Sequence, residues 1–275
     1  MNIHSLAGGP TGPPLLMLHG VMRRWQTFTP ILPALSTRWE IHAMDFRGHG
    51  KSGRAPGRYR VVDYVEDAVS FLREKVGRPS AVYGHSLGAM VAAAVAAKAP
   101  ELVTALVLED PPFRTMGSHI RETPHYGYFS AVATMAGSGG SIPDLARRFG
   151  ALEVPGPGLS QVIRVRNQRD AVGLRFTAWC LQSMDPEVLE PIVAGEWLHG
   201  YRQEEIFRAV TCPALLLQAG EGAGGMLTDE DAAQFESLAK DAVTVKFPGV
   251  PHNMHWMATE TVARQALTFL EPLRE

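Results

Sequence analysis

The sequence predicts an α/β protein in which helices cover both faces of a mostly parallel sheet. Strand-like and helix-like segments alternate along the chain, and each strand-like segment is a nearly continuous apolar run. Such runs are typical of parallel strands that are buried on both faces. A third observation is a helix so rich in alanine, LGAMVAAAVAAKAP, that it must pack closely against its neighbours.

Short apolar runs that end in turn residues predict the strands. These runs are 13–20, the start of 39–53, 79–84, 103–110, 213–220 and 242–249. Longer segments in which apolar residues recur on one face predict the helices. These are 61–76, 87–100, 228–240, where Thr228 is a plausible N-cap, and 258–273.

The region between Pro111 and Thr211 shows no clear strand pattern and carries helix-like segments instead. A structureless loop of this length is uncommon in a compact domain, so we predict an inserted helical cap over 111–211. Residues 1–110 and 212–275 are then the two parts of one α/β core.

Composition excludes several classes of function. The formal net charge is −2, so no basic excess points to nucleic acid or to an anionic membrane surface. The N-terminus lacks a charged leader, and no apolar run approaches the roughly 20 residues that span a bilayer. Cys180 and Cys212 form no metal or redox motif. We therefore expect a soluble, cytoplasmic protein without metal or cofactor, and leave a homodimer open.

The segment GHSLG places Ser86 between a predicted strand and the alanine-rich helix. In the G-x-S-x-G pattern the serine sits on a tight strand-to-helix turn, which exposes its hydroxyl above the sheet. The start of the following helix offers N–H groups to a developing oxyanion. We interpret Ser86 as a nucleophile.

Four motifs together resemble the α/β-hydrolase superfamily, in particular serine esterases and lactonases with a helical cap. They are HG at 19–20, DFRGHGKS at 45–52, GHSLGA at 84–89 and PGVPHNMHW at 248–256. The order of the motifs matches the superfamily over nearly the whole chain. Because His19 comes so early, the usual first strand of that fold is predicted to be missing.

The resemblance implies the partners of Ser86. His252 occupies the position of the general base, with His255 as the competitor that is expected to support packing. The backbone N–H groups of Val21 and Leu87 match the two oxyanion donors.

The acid of the triad has two candidates. The stretch after the strand 213–219 reads QAGEGAGGMLTDED, with glycines where the superfamily usually has its aspartate, and Glu221 lies nearby. Lactonases resembling the zearalenone type take the acid from the end of the preceding strand, where this chain has Asp110. We favour Asp110 and keep Glu221 as the alternative.

Residues beside the nucleophile and the oxyanion loop are candidates for substrate contact. His85 is expected to shape the pocket wall. In MRRW, Arg23 or Arg24 can face the pocket and bind a carboxylate, or both arginines are solvated and only Trp25 packs inward. We assign His85, Trp25 and Arg24 to the substrate side.

These features predict a serine hydrolase that cleaves a carboxylic ester or lactone through an acyl-enzyme, with a mainly apolar acyl or alcohol part of moderate size. Carbon–carbon bond hydrolases and perhydrolases use the same triad and remain alternatives. A third alternative is a ligand-binding receptor on a hydrolase scaffold, because the stretch after the strand 213–219 lacks the usual aspartate.

Overall fold

A seven-stranded sheet organises the computed structural model, which describes residues 1–9, 12–123, 125–155 and 162–273. The strands are β1 Ser5–Gly8, β2 Pro14–Leu18, β3 Glu40–Met44, β4 Ser80–His85, β5 Val103–Glu109, β6 Glu153–Pro155, β7 Val162–Arg164, β8 Ala214–Ala219 and β9 Ala242–Phe247. The main sheet has the order β1-β3-β2-β4-β5-β8-β9. All its neighbouring strands are parallel except β1 and β3. The predicted fold class is confirmed.

Two expectations about strands are wrong. A first strand is present, because β1 pairs antiparallel with β3 from Ser5↔Met44 to Gly8↔Ile41. The segment between β5 and β8 also contains strands, since β6 and β7 form a two-stranded antiparallel sheet. All three are only three or four residues long, too short for a recognisable apolar run.

The predicted helices are present with slightly different bounds. The helices are α1 Leu32–Leu35, α2 Val61–Phe71, α3 Leu87–Lys98, α4 His125–Ala133, α5 Ile142–Ala151, α6 Ala171–Ser183, α7 Glu190–Ala194, α8 Gln203–Ala209, α9 Asp229–Leu238, α10 Met254–Met257 and α11 Thr259–Leu270. A π-helical segment, Leu72–Val76, extends α2. The Thr228 side chain accepts a hydrogen bond from the N–H of Asp231 and so caps α9.

Both faces of the sheet are covered. In β2, Leu16 and Leu18 belong to one apolar core, and Leu15 and Met17 belong to the other. The helix α3 packs on the first face, and all its residues from Leu87 to Ala96 are buried. Its alanines allow the helix to approach the strands closely.

The long segment between β5 and β8 carries α4 to α8 together with the β6–β7 pair. Several of its side chains form one wall of the cavity described below. No helix in the described ranges is long and apolar enough to cross a membrane.

Candidate active site

Ser86 lies at the turn between β4 and α3, with φ 55° and ψ −116°. The two flanking glycines are required by close approach of the backbone. A Cβ at Gly84 would overlap the carbonyl oxygen of Gly88, and one at Gly88 would overlap the carbonyl oxygen of Leu18. The sequence GHSLG therefore folds into the tight turn that the pattern predicted, and Leu87 begins α3 directly after Ser86.

Backbone strain is concentrated in the same place. The non-glycine residues with positive φ, within the described ranges, are Met22 at 61°, Ser86 at 55° and Asp110 at 46°. Each follows the carboxyl end of a neighbouring strand: β2, β4 or β5. Such conformations cost of order 1–3 kcal/mol each and cluster at functional sites.

Asp110 is fully buried and contacts His252 directly. The Nδ1 of His252 donates to Asp110 Oδ2 over 2.6 Å. Backbone N–H groups also donate to this carboxylate: Ala219 over 3.2 Å, Leu227 over 3.1 Å and Met226 over 2.8 Å. Four donors thus compensate for the burial of the carboxylate. The bond from Nδ1 to Asp110 fixes the imidazole so that Nε2 is the ring nitrogen that can contact another group.

Glu221 occupies a different environment. It begins the short 3₁₀ turn Glu221–Ala223, is exposed, and lies at the cavity wall. In the described part of the chain it forms no hydrogen bond with His252. Of the two candidate acids, the structure therefore brings only Asp110 into contact with the histidine.

A second acid–histidine pair lies beneath the first. Glu109 and His255 are both fully buried, and Nδ1 of His255 donates to Glu109 Oε1 over 2.7 Å. Tyr83 donates its hydroxyl to the other carboxylate oxygen over 2.5 Å, and Thr27 pairs with His255 Nε2 over 2.9 Å. Ligand atoms of Glu109, His255 and His85 lie within 4.8 Å of one another. Because Glu109 and His255 already bind each other, this cluster is a hydrogen-bonded support for the strand ends.

A cavity of about 960 Å³ opens above these residues. Ser86, His252, Val21 and His85 lie on its wall from the core. From the segment between β5 and β8, its wall includes the aromatic side chains of Tyr128, Phe129 and Phe176, together with Arg169 and Thr177. Sequence patterns gave no signal for Arg169 and Thr177, because only the folded chain brings α6 and the turn before it to this place.

His85 is 2% exposed and contacts the loop that carries His252. Its Nε2 donates to the carbonyl of His252 over 3.1 Å, and the two rings lie 4.7 Å apart. Its Nδ1 is buried, and no partner for it lies among the described residues. The residue lies at the pocket wall, where it was predicted.

The two arginines of MRRW are not solvated, so the alternative in which both lie in solvent is wrong. Arg23 and Arg24 are 7% and 2% exposed. Arg24 does not line the cavity. It stacks on the ring of Trp179, with its Cζ 3.7 Å from the ring centroid. Trp25 also lies outside the cavity and packs on the core around Phe28. Arg23 is the member of MRRW that reaches the cavity.

Burial holds three histidines of this region in the neutral form. It lowers the pKa of His19 and of His49 to about 3, and the pKa of His85 well below 6.5. His19 shows the physical reason. Its Nδ1 donates to the carbonyl of Gly20, and its Nε2 accepts from the N–H of Phe46. Protonation of Nε2 would break this second bond.

We expect the free energy of unfolding to fall as the pH is lowered from 7 to 5. Below pH 6.5 the unfolded chain takes up protons at His19 and His49, whereas the folded protein does not until about pH 3. The unfolded state therefore binds more protons, and the loss at pH 5 is about 2 kcal/mol per histidine. Urea unfolding measured from pH 7 to pH 4 tests this expectation.

Two histidine variants test whether buried histidines cause this pH dependence of the unfolding free energy. In His49→Gln the slope between pH 6 and 4 should be smaller by about 1.4 kcal/mol per pH unit. His199→Gln changes an exposed histidine and should leave the slope of the wild type. Equal slopes in all three proteins would contradict the assignment.

Comparisons with known proteins agree with the fold. A family model of the alpha/beta hydrolase fold matches residues 13–130. The 2-(acetamidomethylene)succinate hydrolase of Mesorhizobium japonicum is 36% identical over 100 residues, which are 36% of this chain and 36% of that protein. Lipase LipV of Mycobacterium tuberculosis is 36% identical over 126 residues, 44% of this chain and 46% of that protein. These matches span less than half the length of either relative.

Solved structures extend the likeness over the whole fold. The enol-lactonase from Burkholderia xenovorans LB400 superposes with a TM-score of 0.76 and covers 98% of this chain and 96% of that one. The two sequences are 16% identical, so the likeness concerns the fold alone.

Proposed function

Because this chain has the alpha/beta hydrolase fold, we propose that it is a serine hydrolase that cleaves a carboxylic ester or a lactone. The observation that carries this proposal is the hydrogen bond between Asp110 and His252, at a cavity that also contains Ser86 on its strained turn. The partial sequence likeness to Lipase LipV supports the choice of an ester substrate.

The reaction follows from this arrangement. Ser86 Oγ attacks the carbonyl carbon while His252 Nε2 takes its proton. Asp110 holds the ring in the required tautomer and stabilises the imidazolium that forms. The oxyanion accepts hydrogen bonds from the N–H groups of Leu87 and Val21. As the carbon–oxygen bond to the alcohol breaks, His252 returns the proton to the leaving oxygen.

Water then hydrolyses the acyl-enzyme by the corresponding steps. His252 takes a proton from water, the hydroxide attacks the acyl carbon, and the bond to Ser86 Oγ breaks. The proton then returns to Ser86, which releases the carboxylic acid. No metal or organic cofactor takes part in this mechanism.

A fluorophosphonate, which reacts with activated serines, tests the proposal. We expect one adduct by intact mass, mapped to the peptide that contains Ser86. Hydrolysis of p-nitrophenyl butyrate should fall in step with the labelled fraction. A single labelled serine with no turnover of any ester would favour the ligand-binding alternative. Labelling elsewhere, or none in the folded protein, would contradict the proposal.

A further inference from the structure

Arg23 is a buried cation at the cavity wall. Its guanidinium donates to the carbonyl of Met22 over 3.2 Å, to Thr177 Oγ1 over 3.3 Å and to Asn253 Oδ1 over 3.3 Å. These acceptors are all neutral, and the distances are long for charge-assisted hydrogen bonds, which are usually 2.7–2.9 Å. The guanidinium is therefore buried without a group that balances its charge.

A second guanidinium lies beside the first. Arg169, from the turn before α6, donates to the same hydroxyl of Thr177 over 3.4 Å and also lines the cavity. Burial and, to a smaller extent, the charge of Arg169 together lower the pKa of Arg23 to about 10. Two like charges thus converge on one hydroxyl at the edge of the cavity.

No carboxylate in the described ranges forms an ion pair with either arginine. The two acids at the cavity wall have other positions: Asp170 caps α6 by accepting from the N–H of Gly173 over 2.7 Å, and Glu221 is exposed on its own turn. Burial of an unpaired charge costs several kcal/mol. The pair of guanidiniums is suited to an anion that arrives with the substrate.

We propose that Arg23 and Arg169 bind a carboxylate of the substrate, which makes the substrate a half-ester or a lactone that carries a second, free carboxylate. This inference rests on the proposed function, because the subsite shares its cavity with Ser86. Arg23 lies two residues after Val21, so the carboxylate would bind close to the carbonyl that reacts. The planar, forked guanidinium matches a carboxylate by two parallel hydrogen bonds.

Two esters of nearly the same shape test the proposal. Mono-p-nitrophenyl glutarate carries the free carboxylate, and its methyl ester does not. We expect the wild type to prefer the acid in kcat/KM by about 30-fold, in line with hydrogen bonds to charged groups. Arg169→Met should remove most of this preference, with a larger loss of kcat/KM for the acid than for the methyl ester.

Further variants separate recognition from structure. Arg175→Met, an exposed arginine on α6, is the matched control and should keep the preference of the wild type. Arg169→Lys should restore part of it, because a charge without the fork still attracts the carboxylate. Equal losses for both esters in Arg169→Met, or no preference in the wild type, would overturn the proposal.

A binding measurement keeps this inference separate from the proposed function. We expect glutarate at millimolar concentration to raise the Tm of the wild type by about 3 °C and to leave Arg169→Met unchanged, with sodium chloride at equal ionic strength as reference. Such a shift in a protein that hydrolyses neither ester would support the subsite and contradict the hydrolase. The absence of a shift, or an equal shift with inorganic phosphate, would contradict a carboxylate subsite.

Discussion

Ser86→Ala is expected to lower kcat for p-nitrophenyl butyrate by about 10⁴- to 10⁶-fold. The variant removes the oxygen that attacks the carbonyl, and the remaining groups supply only the modest acceleration that an oxyanion hole and substrate binding give. Alanine fits the site, because Ser86 Cβ is already accommodated beside Gly20 and His85. The loss should therefore occur in a folded protein.

A second hydroxyl provides the control for this experiment. Ser183 lies at the end of α6, where its Oγ donates to the carbonyls of Trp179 and Cys180 in its own helix. We expect Ser183→Ala to keep kcat within about threefold of the wild type, since exposed or locally bonded hydroxyls contribute little. If Ser86→Ala retained a tenth of the activity of the wild type, another nucleophile would be responsible.

Asp110→Asn is expected to lower kcat by about 10³- to 10⁴-fold, and Glu221→Gln by less than about threefold. Replacement of the triad acid by an amide stabilises the wrong tautomer of the histidine. The amide also presents an NH₂ group to a site whose other members are all donors. One or more of those N–H groups then loses its acceptor, which should lower the free energy of unfolding by about 1–3 kcal/mol.

The free energy of unfolding of Asp110→Asn and Glu221→Gln shows whether a loss of activity comes from unfolding. Urea unfolding at pH 7 gives the fraction folded under assay conditions, so kcat refers to folded protein only. A large loss in Glu221→Gln together with an active Asp110→Asn would assign the acid to Glu221. Comparable losses in both variants would mean that the cavity wall, and not the contact with His252, limits the reaction.

The fold was largely predictable, because the information for it is local. Apolar runs marked the strands of the main sheet from β2 onward, and the spacing of GHSLG marked the turn at Ser86. The sequence pattern did not predict the strand β1, because a four-residue edge strand that is mostly exposed has no apolar pattern. The alternation of strands and helices predicts that these strands are parallel, but it does not predict their order in the sheet.

The site was predictable only in part, because several contacts join distant segments. Ser86 and His252 lie in motifs that are visible in the sequence, whereas the choice between Asp110 and Glu221 depends on which strand end faces the histidine. The sequence MRRW does not predict which arginine faces the cavity. In the structure Arg24 stacks on Trp179, and Arg23 lines the cavity. Arg169 carries no motif at all.

Because Asp110 directly follows β5, its carboxylate does not depend on the side chains of the loop after β8. The loop after β8 supplies backbone N–H groups to the carboxylate, at Met226 and Leu227, and backbone groups do not depend on side-chain identity. Gly220 and Gly225 are fixed by close contact with backbone carbonyls, whereas a Cβ at Gly222 meets nothing within 4 Å. Position 222 can therefore accept a side chain and change the wall of the cavity while the Asp110 carboxylate keeps its backbone donors.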